Sequence, residues 1–300
     1  MGALEMRIER LKSQAKIAYR GLVGPLLYEK LEFWRHLGYW PNLNNPRTFN
    51  ERVCARKFRP PSQARIFADK LAVREFVRSR VGDEVLTRIY YSGDRPDRID
   101  FAALPSRFVL KGTHGSGPEL RALVWDKSAF SKKALCDLGW RMLRRRCGLE
   151  VNEWWYTEIP SRLMIEEMLL EGGAIPPDYK FYVFAGQALY VQVIDGRHSD
   201  TPHSRFYDRH WRAQPFMREG SGEALDFEQP PNLSEMVSVA EALGAGSEFV
   251  RVDLYSVGQR IVFGELTLAP GAGWVPFRPA AYDIVLGGHW PDERQTKPLS

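Results

Sequence analysis

Apolar residues recur at alternating steps of four and three through Leu4, Ile8, Leu11, Ala15, Ala18 and Leu22, the stripe of one helix face. Arg7, Arg10, Lys12, Lys16 and Arg20 occupy the other faces. The reading adopted is a basic helix packed on its own domain. The alternative is a helix lying on an anionic membrane surface. The stretch WPNLNNPRTFNER, residues 40–52, is rich in Asn and Pro and reads as a loop, with Asn50 as a helix cap. Residues 68–82 predict a second helix, capped by Asp69 and stopped by Gly82. Another basic helix is expected over 131–147, with Leu135, Leu138 and Met142 inward and Arg144, Arg145 and Arg146 as a solvated face.

Elsewhere the apolar runs shorten and alternate. Residues 85–91 and 108–111 predict strands, and 121–126 reads as a return strand closing a hairpin on the first glycine loop. Residues 162–169 read as a strand running into acids. YKFYVFAGQALYVQVID predicts two strands joined at Ala185 and Gly186, and FVRVDLYSVGQRIVFGELTLAPGAG a hairpin turning at Gly258. No internal repeat interrupts this order. It predicts an α+β chain: an N-terminal helical segment (1–60), a linking region (61–104), a small α+β subdomain with the glycine loop (105–170), and a larger subdomain on antiparallel strands (171–300).

Composition narrows the picture only mildly. With 26% charged and 44% hydrophobic residues, a chain of 300 residues should be globular. Its 42 Lys and Arg against 37 Asp and Glu leave +5, which suits anionic ligands such as nucleotides or acidic sugars and is too slight to argue for nucleic acid. Cys54, Cys136 and Cys147 form no CxxC pair, against a disulfide framework or zinc knuckle and in favour of a reducing cytoplasm. No apolar run approaches the ~18 residues of a membrane span. Met6 stands where a myristoylation signal has Ser or Thr. A soluble protein is expected.

The last hairpin carries the most chemistry. Arg251 and Asp253 are two apart on one strand, Glu265 and Thr267 two apart on the next, so each pair shares a face. Side by side they would bring two carboxylates and a hydroxyl to one guanidinium, hard oxygen ligands that suit magnesium. The alternative is the polar outer face of an edge hairpin. In FVLKGTHGSG, Lys111 ends an apolar run and Gly112, Gly115 and Gly117 free the backbone to meet phosphate oxygens. The stretch is neither a Walker A motif nor a GxGxxG fingerprint, and alone it reads as a turn. Glu166 and Glu167 end an apolar run that could meet an adenine edge. Asp178 and Lys180 share a strand face and could hold a ribose hydroxyl and a phosphate. Surface charge is the alternative for each. His114 is a candidate base, read in preference as a neutral hydrogen-bond donor to phosphate. His198, His203 and His210, near Arg197, Arg205 and Arg209, suit an acidic acceptor or an ordinary exposed loop.

Taken in order, ADK, FVLKGTHGSG, IEEML, DYKFYVF, FVRVDLY and FGELTLAPGAG resemble the ATP-grasp fold, and more narrowly the TupA-like ATP-grasp family of polysaccharide and teichuronopeptide biosynthesis. The resemblance runs over about residues 44–290, and LNNPRTFNE and HSRFYDRHW read as further family blocks. It implies two α+β subdomains clasping ATP, and a carboxylate joined to an amine through an acyl phosphate. On that resemblance Lys111 and Lys70 would bind ATP phosphates under a lid of Gly115, Ser116 and Gly117. Glu166 and Glu167 would sit at the adenine and Asp178 at the ribose. Asp253, Glu265 and Thr267 would hold Mg2+, and Arg251 would stabilise charge on the transferring phosphoryl group, with Lys180 and His114 as further candidate catalytic groups. Thr267 departs from the Asn of many ATP-grasp ligases, and Pro118 stiffens the lid. The implied partners are ATP, an acidic sugar or glycan acceptor and an amino-acid or amine donor. Peripheral contact at the inner membrane face through the N-terminal helix is left open. The rival readings are a sugar kinase, a glycosyltransferase, which would want the Asp-x-Asp pair that the chain lacks, and a non-catalytic sensor.

Overall fold

A computed structural model describes residues 3–196 and 202–291, with side chains from Leu11 onward. Its helices are α1 (Ala3–Val23), α2 (Pro25–Leu37), α3 (Phe49–Arg56), α4 (Ala64–Ala68), α5 (Ala72–Val81), α6 (Lys132–Leu143), α7 (Leu233–Gly244) and α8 (Ala281–Gly288). Its strands are β1 (Ile89–Gly93), β2 (Phe108–Gly112), β3 (Arg121–Val124), β4 (Leu163–Glu166), β5 (Asp178–Phe184), β6 (Gln187–Asp195), β7 (His203–Asp208), β8 (Met217–Arg218), β9 (Phe249–Val257), β10 (Arg260–Thr267) and β11 (Phe277–Arg278). The chain divides into two units. The first comprises Met1–Tyr28, Ser62–Glu75 and Thr87–Leu169, the second Glu29–Pro61, Phe76–Leu86 and Leu170–Ser300. The expected N-terminal segment therefore splits at Tyr28, and residues 105–169 and 171–300 fall in different units.

The first unit is built on an antiparallel sheet of order β1-β4-β2-β3. Alternation along β2 and β4 sends Phe108, Leu110, Leu163 and Ile165 into one core with Leu135 and Met142 of α6. A side chain at Gly139 would place its Cβ 2.7 Å from Leu163, so glycine lets α6 close on the sheet. The helix starts on a Ser131 cap and stops at Leu143, four residues short of the expected end. The solvated-arginine reading is corrected in part: Arg145 pairs with Glu119 at 2.6 Å.

The N-terminal helix forms as expected but faces the other way. Leu11, Ala15, Ala18 and Leu22 are exposed, while Ser13, Lys16, Ile17, Arg20 and Val23 are half-buried. Arg20 donates to Asn152, and Tyr28 donates from its hydroxyl to the Glu150 carbonyl at 2.7 Å. The helix therefore packs on its own unit as read, but by the flank of Ile17, Arg20 and Val23, while the apolar stripe from Leu11 to Leu22 faces outward.

The second unit carries an antiparallel sheet of order β10-β9-β5-β6-β7. All seven residues of central β5 are buried, Asp178 and Lys180 included. One face packs on α7, where a Cβ at Gly244 would lie 2.4 Å from Val183. Phe49 of α3 anchors the aromatic core of the unit, its ring 5.0 Å from Phe249 and 5.9 Å from both Tyr182 and Trp290. The cap expected at Asn50 lies instead at Thr48, which forms a capping box with Glu51. Asn50 is buried, its amide N–H on Asp283 at 2.9 Å and its side chain donating to the Val275 carbonyl at 3.1 Å.

Candidate active site

In the first unit Lys111 on β2 and Glu166 on β4 share the sheet face turned away from the hydrophobic core. Val109 pairs with Glu166 and Lys111 with Met164, so the two charges are diagonal neighbours and form an ion pair. Thr87 donates to the other Glu166 oxygen at 2.5 Å, and Arg74 holds Thr87 through its hydroxyl at 3.1 Å and its carbonyl at 2.5 Å. Burial alone would push the Glu166 carboxyl up. The Lys111 charge and the hydrogen bonds from Lys111 and Thr87 outweigh it and hold the group below its ordinary value. Glu167 turns elsewhere, accepting from the Arg88 amide at 2.7 Å.

The glycine loop is anchored from beneath. Lys70 donates from Nζ to the Gly115 carbonyl and from its backbone to the Thr113 carbonyl at 3.2 Å. Asp69 accepts from the amides of Leu71 and Ala72 and pairs with Arg162 at 2.7 Å, which fixes the turn presenting Lys70. His114 is buried, its Nε2 3.2 Å from the Arg145 carbonyl. Burial lowers its pKa, so the ring is neutral and holds the loop to the segment after α6. A Cβ at Gly115 would come within 2.7 Å of Cys147 and Leu120, so this glycine serves close packing. Gly117 has φ +109, and with Ser116 it forms the exposed tip.

In the second unit the four hairpin residues meet. Glu265 pairs with Asp253 and Thr267 with Arg251 across β9 and β10. This register depends on a bulge between Phe263 and Glu265. Counting on without it from Phe263 opposite Leu254 would set Gly264 against Asp253 and turn Glu265 to the other face. Arg251 grips both Asp253 oxygens at 2.6 and 2.7 Å and reaches Glu265 and Thr267 at 3.0 Å each. Burial would lower the Arg251 pKa, but Asp253 and Glu265 raise it, so the guanidinium stays charged. Lys180 sits on the same face, 2.6 Å from Asp253 and 3.3 Å from Asp178. The outer-face alternative does not describe Asp253, which is 2% exposed.

Among the described residues no three His, Cys, Asp or Glu side chains gather round one metal position. The donor chemistry nonetheless suits magnesium, which takes one or two carboxylates and completes its shell with water and phosphate oxygens. Asp253 and Glu265 supply the hard oxygens, Thr267 a hydroxyl, and with Asp178 the carboxylates outnumber Lys180 and Arg251. The Glu265 side chain, 36% exposed, can meet a hydrated ion, whereas Asp253 is already gripped by two cations.

These motifs now meet an independent finding. The family model described as TupA-like ATPgrasp matches residues 53–290. The chain belongs to the TupA-like ATP-grasp family. Solved structures similar to it include D-alanine–D-alanine ligase from Bacillus anthracis complexed with ATP, at 14% identity and TM-score 0.42 over 75% of this chain and 63% of that one. A RimK domain ATP-grasp protein from Sphaerobacter thermophilus gives 15% and 0.42 over 75% and 67%. The ATP-grasp ligase PsnB complexed with a minimal precursor gives 14% and 0.38 over 69% and 54%. This TupA-like chain thus spans between about half and two thirds of the length of such structures. No curated protein matches it.

Sequence reasoning missed the buttresses. Thr87 lies 79 positions from Glu166 and stands in no motif, while Asp69 of ADK, read only as a helix cap, pairs with Arg162 93 positions away. The pairing of Lys180 with Asp253 was equally unforeseen, although both lie in family motifs. Of the expected histidine and arginine cluster, Arg205 pairs with Asp226 at 3.2 Å and Arg209 with Glu241 at 3.3 Å. Arg197 and His198 lie outside the described residues.

Proposed function

We propose that this TupA-like ATP-grasp chain is an ATP- and magnesium-dependent carboxylate–amine ligase working through an acyl phosphate. The observation that carries the reading is the set of Arg251, Asp253, Glu265 and Thr267 on two paired strands, within 3.0 Å of the one guanidinium. Lys111 and Lys70 would bind the ATP phosphates, with Gly115, Ser116 and Gly117 over them. Glu166 and Glu167 would lie toward the adenine and Asp178 toward the ribose. Magnesium, held from Glu265 and Asp253 with Thr267 beside them, would neutralise phosphate charge.

The carboxylate oxygen of one substrate attacks the γ-phosphorus, and the bond to the β–γ bridging oxygen breaks, giving acyl phosphate and ADP. The amine nitrogen of the other then attacks the acyl carbon, phosphate leaves, and the amine releases a proton. Arg251 stabilises the oxygens that gain charge in both steps. Lys180, between Asp178 and Asp253, orients Asp253. The buried neutral His114 positions the glycine loop. For substrates, the mild positive charge of the chain and the family point to a uronic-acid-bearing glycan as carboxylate and an amino acid or amine as nucleophile, in cytoplasmic steps of cell-surface polysaccharide synthesis.

The test is ADP release from ATP and magnesium with a panel of uronic acids and amines, products weighed by mass spectrometry. Acceptor-dependent release is expected, with a product one water lighter than its two parts. Glu265→Gln should lower the rate by about 100-fold, the cost of losing one charge-stabilising group. A phosphorylated sugar without condensation would make the protein a kinase and sink the ligase reading.

A further inference from the structure

We propose that α1 docks on an anionic phospholipid surface through the stripe it turns away from its own unit. At about 100° per residue, Leu11, Ala15, Ala18 and Leu22 lie within an arc of about 60°. All four are exposed, Leu11 at 58% and Leu22 at 84%, and exposed Tyr19 and Lys12 flank them. The opposite side, with Ile17 and Arg20, holds the helix to its unit. The start of α2 adds exposed Leu26 and Leu27. An apolar stripe that its own fold leaves in water marks an interaction surface.

Charge decides the occupant. The first 28 residues carry five basic side chains (Arg7, Arg10, Lys12, Lys16 and Arg20) against Glu5 and Glu9, so three of the five net positive charges of the chain sit here. A second copy of α1 laid on the stripe would bring like charges together, which opposes pairing. An anionic headgroup layer attracts the same cations while the acyl boundary takes Leu11 and Leu22. No described helix is long and apolar enough to cross a membrane, so the contact is peripheral. This surface needs nothing from the ligase reading.

The test is sedimentation of the full chain with phosphatidylcholine vesicles, with and without phosphatidylglycerol. Binding is expected only with the anionic lipid, weakening in about 1 M salt, where the screening length falls to about 3 Å. The double variant Leu11→Asp/Leu22→Asp should lose it while keeping the wild-type melting temperature and ATP binding. Equal binding by that variant would overturn the proposal, as would no binding to anionic vesicles. A dimer that the same substitutions dissolve would reassign the stripe to a second copy. ATP binding, measured on the same samples, reports separately on the proposed function.

Discussion

Three buried or half-buried acids show how local partners decide the state of a carboxyl. Glu166 is buried, yet Lys111 and Thr87 keep it below its ordinary pKa. Asp283 is also buried, and there desolvation outweighs the bonds from Asn50, so its pKa is raised. Glu265 pairs with Arg251 at 3.0 Å yet keeps solvent access through which it can meet a hydrated ion. His114 gives the pH prediction. Its folded pKa is depressed below 6.5 by burial, so between the folded value and 6.5 the unfolded chain binds the extra proton. Stability should therefore fall as pH drops through 6.5, and His114→Gln should flatten that fall. Urea midpoints of both proteins at pH 7.5 and pH 5.5 would show it, and parallel curves would refute the assignment. The sequence already placed Glu265 beside Arg251 and favoured a neutral His114, whereas the distant partners of Glu166 and Asp283 were not legible in it.

At the scale of elements, the last hairpin was legible because alternation and the Gly258 turn are local signals. Its register was not. Phe263 faces Leu254, yet Glu265 faces Asp253, because the bulge leaves the extra residue, Gly264, out of the pairing and so keeps Glu265 on the site face. A Cβ at Gly264 would sit 3.1 Å from the Asp253 carbonyl, so the bulge favours glycine. Two opposite outcomes follow. With the one-residue bulge kept, a second glycine inserted after Gly264 takes the place opposite Asp253, turns Glu265 to the far face, and should abolish magnesium-dependent ADP release in a protein that still folds. Deleting Gly264 removes the bulge, keeps Glu265 opposite Asp253, and should retain turnover. Steady-state assays with circular dichroism on both variants decide the matter. Equal activity in the two would mean that the facing of Glu265 is irrelevant.

For the whole molecule, the proposed ligand set predicts linkage. ATP with magnesium, binding only the folded chain, should stabilise it by about 2.7 kcal/mol at 100 times its Kd. Differential scanning fluorimetry should show a rise in Tm that EDTA reduces and Lys111→Met diminishes. An unchanged Tm at saturating nucleotide would argue against the site.

From its sequence alone the protein declared its element types, its turns and its family, because periodicity, glycine placement and motif order are local properties of the chain. The helix of residues 3–23 and the hairpin at Gly258 could be read without coordinates. What only the tertiary structure decided was facing and partnership: the outward stripe of α1, the bulge before Glu265, and Lys180 on Asp253 across 73 positions. The reason is physical. A stripe or an alternation says that one side differs from the other, while which side is buried depends on surfaces supplied by residues far away in the chain.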